Sequence, residues 1–291
     1  MAAAHTDYYI PGPSHWPVVT SIAIFTMFVG GATTLNGAGI GPMILGAGFL
    51  LFLYVLFGWF GTVIGESESG IYNDHVDVSF RMGMMWFIFS EVMFFAAFFG
   101  ALYYSRIYSV PWLGGEGSGA ATNQFLWPDF VASWPLLQPP SDYGFSSFKE
   151  TIGAWGVPFW NTLILLTSGG TVTWAHWGLQ KGNRQQLVLG LVLTVLLGAT
   201  FVTMQAMEYG HAYHELGLTL NSGIYGATFF LLTGFHGFHV TMGTVMLFVI
   251  LMRSIKGHFT PKHHFAFEAV AWYWHFVDVV WIGLFIFVYW L

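Results

Sequence analysis

The chain contains no cysteine. Disulfides, thiolate metal sites and cysteine nucleophiles are therefore excluded. Charge is equally scarce: Asp, Glu, Lys and Arg make up 8% of 291 residues, against about 25% in a soluble domain. With only 8 basic residues and a net charge of −6, the chain has no electrostatic footprint for nucleic acid. Residues 1–15 hold no Lys or Arg. This excludes a basic n-region, so the first apolar run, from Trp16, is expected to be a retained span. What is abundant is apolar: 55% hydrophobic residues, 20% aromatic, and a mean hydropathy of +0.62. This is the composition of a protein whose solvent is lipid.

A span needs about 20 mostly apolar residues. Seven runs qualify, near 16–37, 40–65, 79–107, 152–180, 186–210, 219–253 and 265–290. The expected fold is an all-α membrane protein, a single polytopic domain over 1–291. Residues 108–151, rich in Gly, Pro and Ser, form the one long connection, expected as an outer loop with little regular structure. Six of the eight basic residues (Arg81, Lys181, Arg184, Arg253, Lys256, Lys262) fall on one side, and Arg106 and Lys149 on the other. The positive-inside rule then puts the N-terminus in the cytoplasm and Leu291 outside. No internal repeat or pair of interrupted helices of the transporter kind is evident.

Ionisable groups within the spans are few. Glu91 sits mid-way along an apolar run, where a carboxylate costs roughly 2.5–3.5 kcal/mol to insert. At a helical rise of ~1.5 Å per residue, Glu91 lies ~18 Å into span three, and His275 and Asp278 ~14 and ~18 Å into span seven. His239 and His236 lie ~20 and ~24 Å from the cytoplasmic end of span six. Glu268 stands at the start of span seven, Glu208 closes span five, and His176 lies late in span four. Residues three apart share a helix face, so His236/His239 and His275/Asp278 can each point one way into a bundle. Three readings stay open for these groups: a metal or heme site using His236, His239 and His275; a proton or ion path through Glu91; or hydrogen-bonded polar groups that join helices. Depth alone offers His239 or His236 as a partner for Glu91, which is expected to be protonated or hydrogen-bonded at neutral pH.

Four segments are specific in combination. They are Arg81 to Phe95; Asn161-Thr162-Leu163 through Ser168-Gly169-Gly170-Thr171-Val172-Thr173-Trp174-Ala175-His176; Gly234-Phe235-His236-Gly237-Phe238-His239; and Phe267-Glu268-Ala269 through His275-Phe276-Val277-Asp278-Val279-Val280-Trp281. In these the chain resembles subunit III of cytochrome c oxidase, in the heme–copper oxidase complexes. The resemblance implies a non-catalytic core subunit of a proton-pumping respiratory terminal oxidase. The first two of its seven helices splay from a five-helix bundle and leave a lipid-binding cleft. Subunit I, the main contact, and subunit II carry the hemes and copper; a small subunit IV is a further expected neighbour. This chain then holds phospholipid but no metal or redox cofactor, cytochrome c is the electron donor to the complex, and Glu91 matches the family's carbodiimide-reactive carboxylate. Such a subunit stabilises subunit I, supports proton uptake and sustains turnover. The alternative is subunit III of a quinol oxidase, whose members commonly lack the first two spans. The style of the chain suggests a bacterial inner membrane. Where many relatives carry a Gly-x-His-Thr turn, this chain has Gly70 to His75, so no headgroup histidine is carried over to His75.

Two surface roles follow as expectations. Arg81 and Arg253, near the cytoplasmic interface, suit lipid-headgroup phosphates or simple anchoring. His5, Asp7, Glu66, Glu68, Asp74, His75, Asp77, His258, His263 and His264 gather on the cytoplasmic side. They can serve as a proton-collecting surface or as ordinary solvation.

Overall fold

The computed structural model describes residues 9–10, 12–140 and 144–291; His5 and Asp7 lie outside them. Among the described residues the fold is entirely helical. Seven long helices carry it: α1 (Trp16–Leu35), α2 (Gly41–Glu68), α3 (Asp74–Tyr104), α4 (Val157–Gln180), α5 (Arg184–His211), α6 (Gly223–Lys256) and α7 (Phe265–Leu284). Turns of π-helix prolong α3, α5 and α7, over Ser105–Ser109, Ala212–Leu216 and Phe285–Trp290. The connection after α3 is more ordered than its glycines suggest. It contains Val110–Leu113, a 3-10 turn at Gly117–Gly119 and a short helix Ala120–Leu126.

Helix starts follow local chemistry. Pro17, Pro42 and Pro158 sit in the first turns of α1, α2 and α4, where the missing N–H costs nothing. The Asn73 side chain accepts from the Val76 amide at 3.1 Å, and Asn183 from Gln186 at 3.1 Å. Both satisfy orphan donors as N-caps. Gly217 and Gly257 end helices in the left-handed region at φ 71° and 82°.

Among the described residues, six helical segments are long and apolar enough to cross a membrane by length and composition. The exception is α4, diluted by Asn161, Thr162, Ser168, Gly169, Gly170, Thr171 and Thr173. Its polar and small residues point inward: Asn161, Ser168, Gly169, Ala175 and Gly178 are buried. Leu165, Val172 and Leu179 are buried beside them, while Trp160, Leu163, Leu166 and Trp177 are exposed.

The chain divides into two compact units, Met1–Met82 and Gly83–Leu291, the division falling inside α3. In the first unit, α1 and α2 form a hairpin whose buried residues are nearly all small: Ala23, Gly30, Gly41, Gly48 and Val55. The helix backbones meet there directly. A Cβ on Gly30 would strike the Leu45 backbone, and one on Gly48 the Met27 amide. Beyond α2, the Tyr72 hydroxyl donates to Glu66 Oε2 at 2.6 Å. Burial and the Glu66 carboxylate push the Tyr72 phenol above its ordinary range. Arg81 pairs with Asp77 at 2.7 Å.

In the second unit α4, α5, α6 and α7 close a ring, α4 touching α5, α5 touching α6, α6 touching α7, and α7 touching α4. The core is aromatic, with Trp274, Trp281, Phe95, Phe201, Phe229 and Phe267 fully buried. Polar handles on these rings tie helices together. Trp274 Nε1–H donates to Ser168 Oγ and Trp281 Nε1–H to Thr162 Oγ1, both at 2.9 Å. The Tyr209 and Thr233 hydroxyls lie 2.6 Å apart. Glycine makes room for the rings: a Cβ on Gly198 or Gly243 would enter the Trp274 indole.

Candidate functional site

Glu91 from α3 meets His239 from α6. Glu91 Oε2 lies 3.0 Å from His239 Nε2. His239 Nδ1 lies 2.6 Å from the Phe235 carbonyl one turn back. A carbonyl only accepts, so Nδ1 carries hydrogen and donates to it. The short contact on the other side then requires one proton between Nε2 and the carboxyl. Either Glu91 is a neutral acid donating to neutral imidazole, or a carboxylate accepts from imidazolium. In both forms the pair has no net charge, which lowers the cost of placing a carboxyl group at this depth. The walls are aromatic: the Phe95 and Tyr273 rings lie 5.1 and 6.2 Å from the His239 ring. The Glu91 side chain keeps 21% of its surface exposed, against 9% for His239.

His236 shares the face of His239 but has its own partner. Its Nε2–H donates to the Val277 carbonyl at 3.2 Å, and its ring lies 5.1 Å from that of Trp281. On α7, His275 Nδ1 is 3.4 Å from Asp278 Oδ2, and His275 Nε2 is 3.2 Å from Thr173 Oγ1 of α4. Gly169 allows this approach, since a Cβ there would strike Asp278 Oδ2. His236, His239 and His275 thus engage different partners. Among the described residues they do not form a group of ligand atoms within 4.8 Å of one another.

Glu268 stands apart from these midplane groups. Its Oε1 lies 3.1 Å from His264 Nε2 and 3.8 Å from His176 Nε2, where α4 ends and α7 begins. His264 is buried, unlike the exposed His263, so it is no part of a solvated surface. His258 is half-buried, Asp74 and His75 are exposed, and Asp77 is half-buried against Arg81. Arg253 is also buried, its guanidinium 4.6 Å from the Phe259 ring. A further polar knot joins α5 to the end of the chain. Glu208 Oε1 accepts from the Tyr289 hydroxyl at 2.7 Å and from Gln205 Nε2 at 3.1 Å. Sequence reading missed it, although a glutamate closing a span three residues after a glutamine was a signal.

An all-helical, multi-pass membrane protein with glycine-packed hairpin and aromatic bundle, holding a paired carboxylate inside, is what these observations define. The chain matches the family Cytochrome c oxidase subunit III over residues 5–125 and 140–291. It is 42% identical to "Cytochrome c oxidase subunit 3" of Marchantia polymorpha over 284 residues, covering 97% of this chain and 96% of that protein. It is 40% identical to the protein of the same name from Arabidopsis thaliana over 285 residues (98% and 96%). It is 41% identical to that of Cyprinus carpio over 291 residues (100% and 99%). The chain belongs to the cytochrome c oxidase subunit III family, and membership implies other oxidase subunits as its partners.

Proposed function

We propose that this chain is a non-catalytic, structural and proton-handling subunit of a cytochrome c oxidase. It packs on subunit I near subunit II and any small fourth subunit, binds phospholipid, and supports proton uptake through sustained turnover. It contributes no heme or redox copper; those belong to the partner subunits, and cytochrome c is donor to the complex. The carrying observation is the Glu91–His239 pair at 3.0 Å. It is an intramembrane carboxyl–imidazole pair that shares one proton and lies among aromatic rings. Its partial exposure fits the carbodiimide reactivity of the family's carboxylate. The large apolar side chains exposed on α1 and α2, among them Phe25, Phe28, Leu50, Phe57 and Phe60, suit acyl chains.

The orientation follows from the basic residues. Lys181 and Arg184 flank the α4–α5 turn, Arg253 and Lys256 end α6, and Lys262 precedes α7. Arg184 donates to the Ile255 carbonyl, so these ends are neighbours. We place them in the cytoplasm of a bacterium, with the N-terminus inside and the C-terminus in the periplasm.

The test is a purified holo-oxidase carrying Glu91→Ala or His239→Phe. Heme and copper content should stay at the wild-type value, while the enzyme inactivates after fewer turnovers and proton uptake slows. Unaltered turnover lifetime in both variants would remove the pair from this role. Loss of heme would make it an assembly element only.

A further inference from the structure

Four buried polar atoms on α4 and α5 meet no hydrogen-bond partner among the described residues: Asn161 Nδ2 and Oδ1, Gln205 Oε1 and Glu208 Oε2. Their residues are shut away, with 0% of Asn161, 5% of Gln205 and 3% of Glu208 exposed. Helix register brings them to one level. A Cβ on Gly178 would strike the Leu187 amide and one on Gly190 would strike Ala175, while the Thr171 and Thr194 hydroxyls lie 2.7 Å apart. Each step back along α4 is matched by an equal step forward along α5. The same register, carried to the start of α4, sets Asn161 level with Gln205. Glu208, one turn on, accepts from Gln205 Nε2 at 3.1 Å. The turn Phe285–Trp290 closes this layer. It touches α4, and its buried Tyr289 donates to Glu208 Oε1 at 2.7 Å.

The hydrogen bonds fix what each group has left to offer. The Tyr289 hydrogen goes to Glu208, so the tyrosine oxygen, 3.4 Å from Gln205 Nε2, accepts from that amide. Gln205 therefore turns its nitrogen toward Glu208 and Tyr289 and its oxygen away. What remains is three acceptor oxygens and one amide nitrogen with two hydrogens. Asn161 Nδ2 reaches none of the three oxygens directly, since it too is unmet. Burying such atoms bare is costly, and buried polar groups are nearly always satisfied. We propose that Asn161, Gln205 and Glu208 form a binding site for ordered internal water, roofed by Tyr289. A water at this level accepts from Asn161 Nδ2 and donates to two of the three oxygens. That makes about three bonds to otherwise unmet groups, the usual number for a buried water. Such a bridge fastens the last turn of the chain to α4 and α5. It also gives Glu208 a partner for proton exchange, which Gln205 and Tyr289, both donating to it, do not. This inference does not depend on the role proposed for Glu91.

The sign of a stability change tests it. In the full chain, purified in mild detergent and unfolded by denaturant, Asn161→Leu should lower the unfolding midpoint, because the water loses its donor and two oxygens are stranded. If the four atoms are instead dry, the same substitution removes two unmet groups and raises the midpoint, which overturns the site. Asn161→Leu and Glu208→Gln should couple, the double variant losing clearly less than the two single losses combined. Strict additivity overturns a shared water. The wild-type holo-oxidase supplies a second measurement should a variant misfold. Electron cryo-microscopy at a resolution that shows ordered water should place density within hydrogen-bond reach of at least two of Asn161, Gln205 and Glu208. Side chains that bond one another directly, with no density between them, overturn the proposal.

Discussion

The α1–α2 hairpin and the α4–α7 ring solve one problem in opposite ways. Lipid tails are as apolar as leucine, so burying hydrophobic side chains gives helices no reason to associate. The hairpin answers with shape. Its interface is glycine against backbone, and its large side chains face outward. Among the described residues, a side-chain hydrogen bond from Trp16 Nε1–H to Thr62 Oγ1 at 3.1 Å ties the two helices. The ring answers with bulk and polarity. It buries two tryptophans and several phenylalanines, then connects helices through indole, phenol, imidazole and carboxyl groups. One region is strong where nothing fits but hydrogen; the other is strong where specific donors meet specific acceptors.

Substitution should separate the two. The largest effect is expected at Gly30, where a Cβ would lie 2.5 Å from Leu45 Cα. Backbone cannot yield as a side-chain tip can, so Gly30→Leu should destabilise the hairpin by at least about 1–3 kcal/mol. Gly31→Leu, whose Cβ meets nothing within 4 Å, should be near neutral. Unfolding in detergent, read by circular dichroism, compares them; equal losses would break the contrast. A middling effect is expected in the ring. Trp281→Phe removes the donor to Thr162 and some area, and interhelical hydrogen bonds in membranes average about 0.6 kcal/mol. Thr162→Val should then add little to Trp281→Phe in a double-mutant cycle. Full additivity would show that the bond contributes nothing.

An effect of similar size is expected at Tyr72, outside the spans. Tyr72→Phe should cost about 0.5–1.5 kcal/mol at neutral pH through its bond to Glu66. Its phenol is raised in the folded state, so this contribution is complete below the ordinary tyrosine pKa of about 10 and fades as pH rises above it. Denaturant melts of wild type and variant should converge at alkaline pH. A gap that widens there would reverse the sign.

Much of the helical plan was legible because apolar length is a strong signal. Ends were less so. Helix α2 runs on to Glu68 and α3 begins at Asp74, since a helix continues past its apolar run until a cap or turn stops it. Helix α4 starts at Val157 rather than near 152 because Pro158 fixes the first turn. Depth arithmetic put Glu91 level with both His239 and His236. It could not choose between them, because helix rotation decides, and rotation is set by packing. The His176–His264–Glu268 cluster was hidden for the same reason: it exists only once α4 and α7 are side by side.

The polar make-up of α4 bears on how such a protein sits in a membrane. Asn161, Ser168 and the paired glycines 169 and 170 make this segment less apolar than the other long helices. Yet Ser168 receives Trp274, Thr162 receives Trp281 and Gly169 admits Asp278 only when α7, which follows it in the chain, lies alongside. For α4, residence in the bilayer is a property of the assembled group, whereas the other six long segments are apolar enough by themselves. A later helix supplies the partners that make an earlier one at home there.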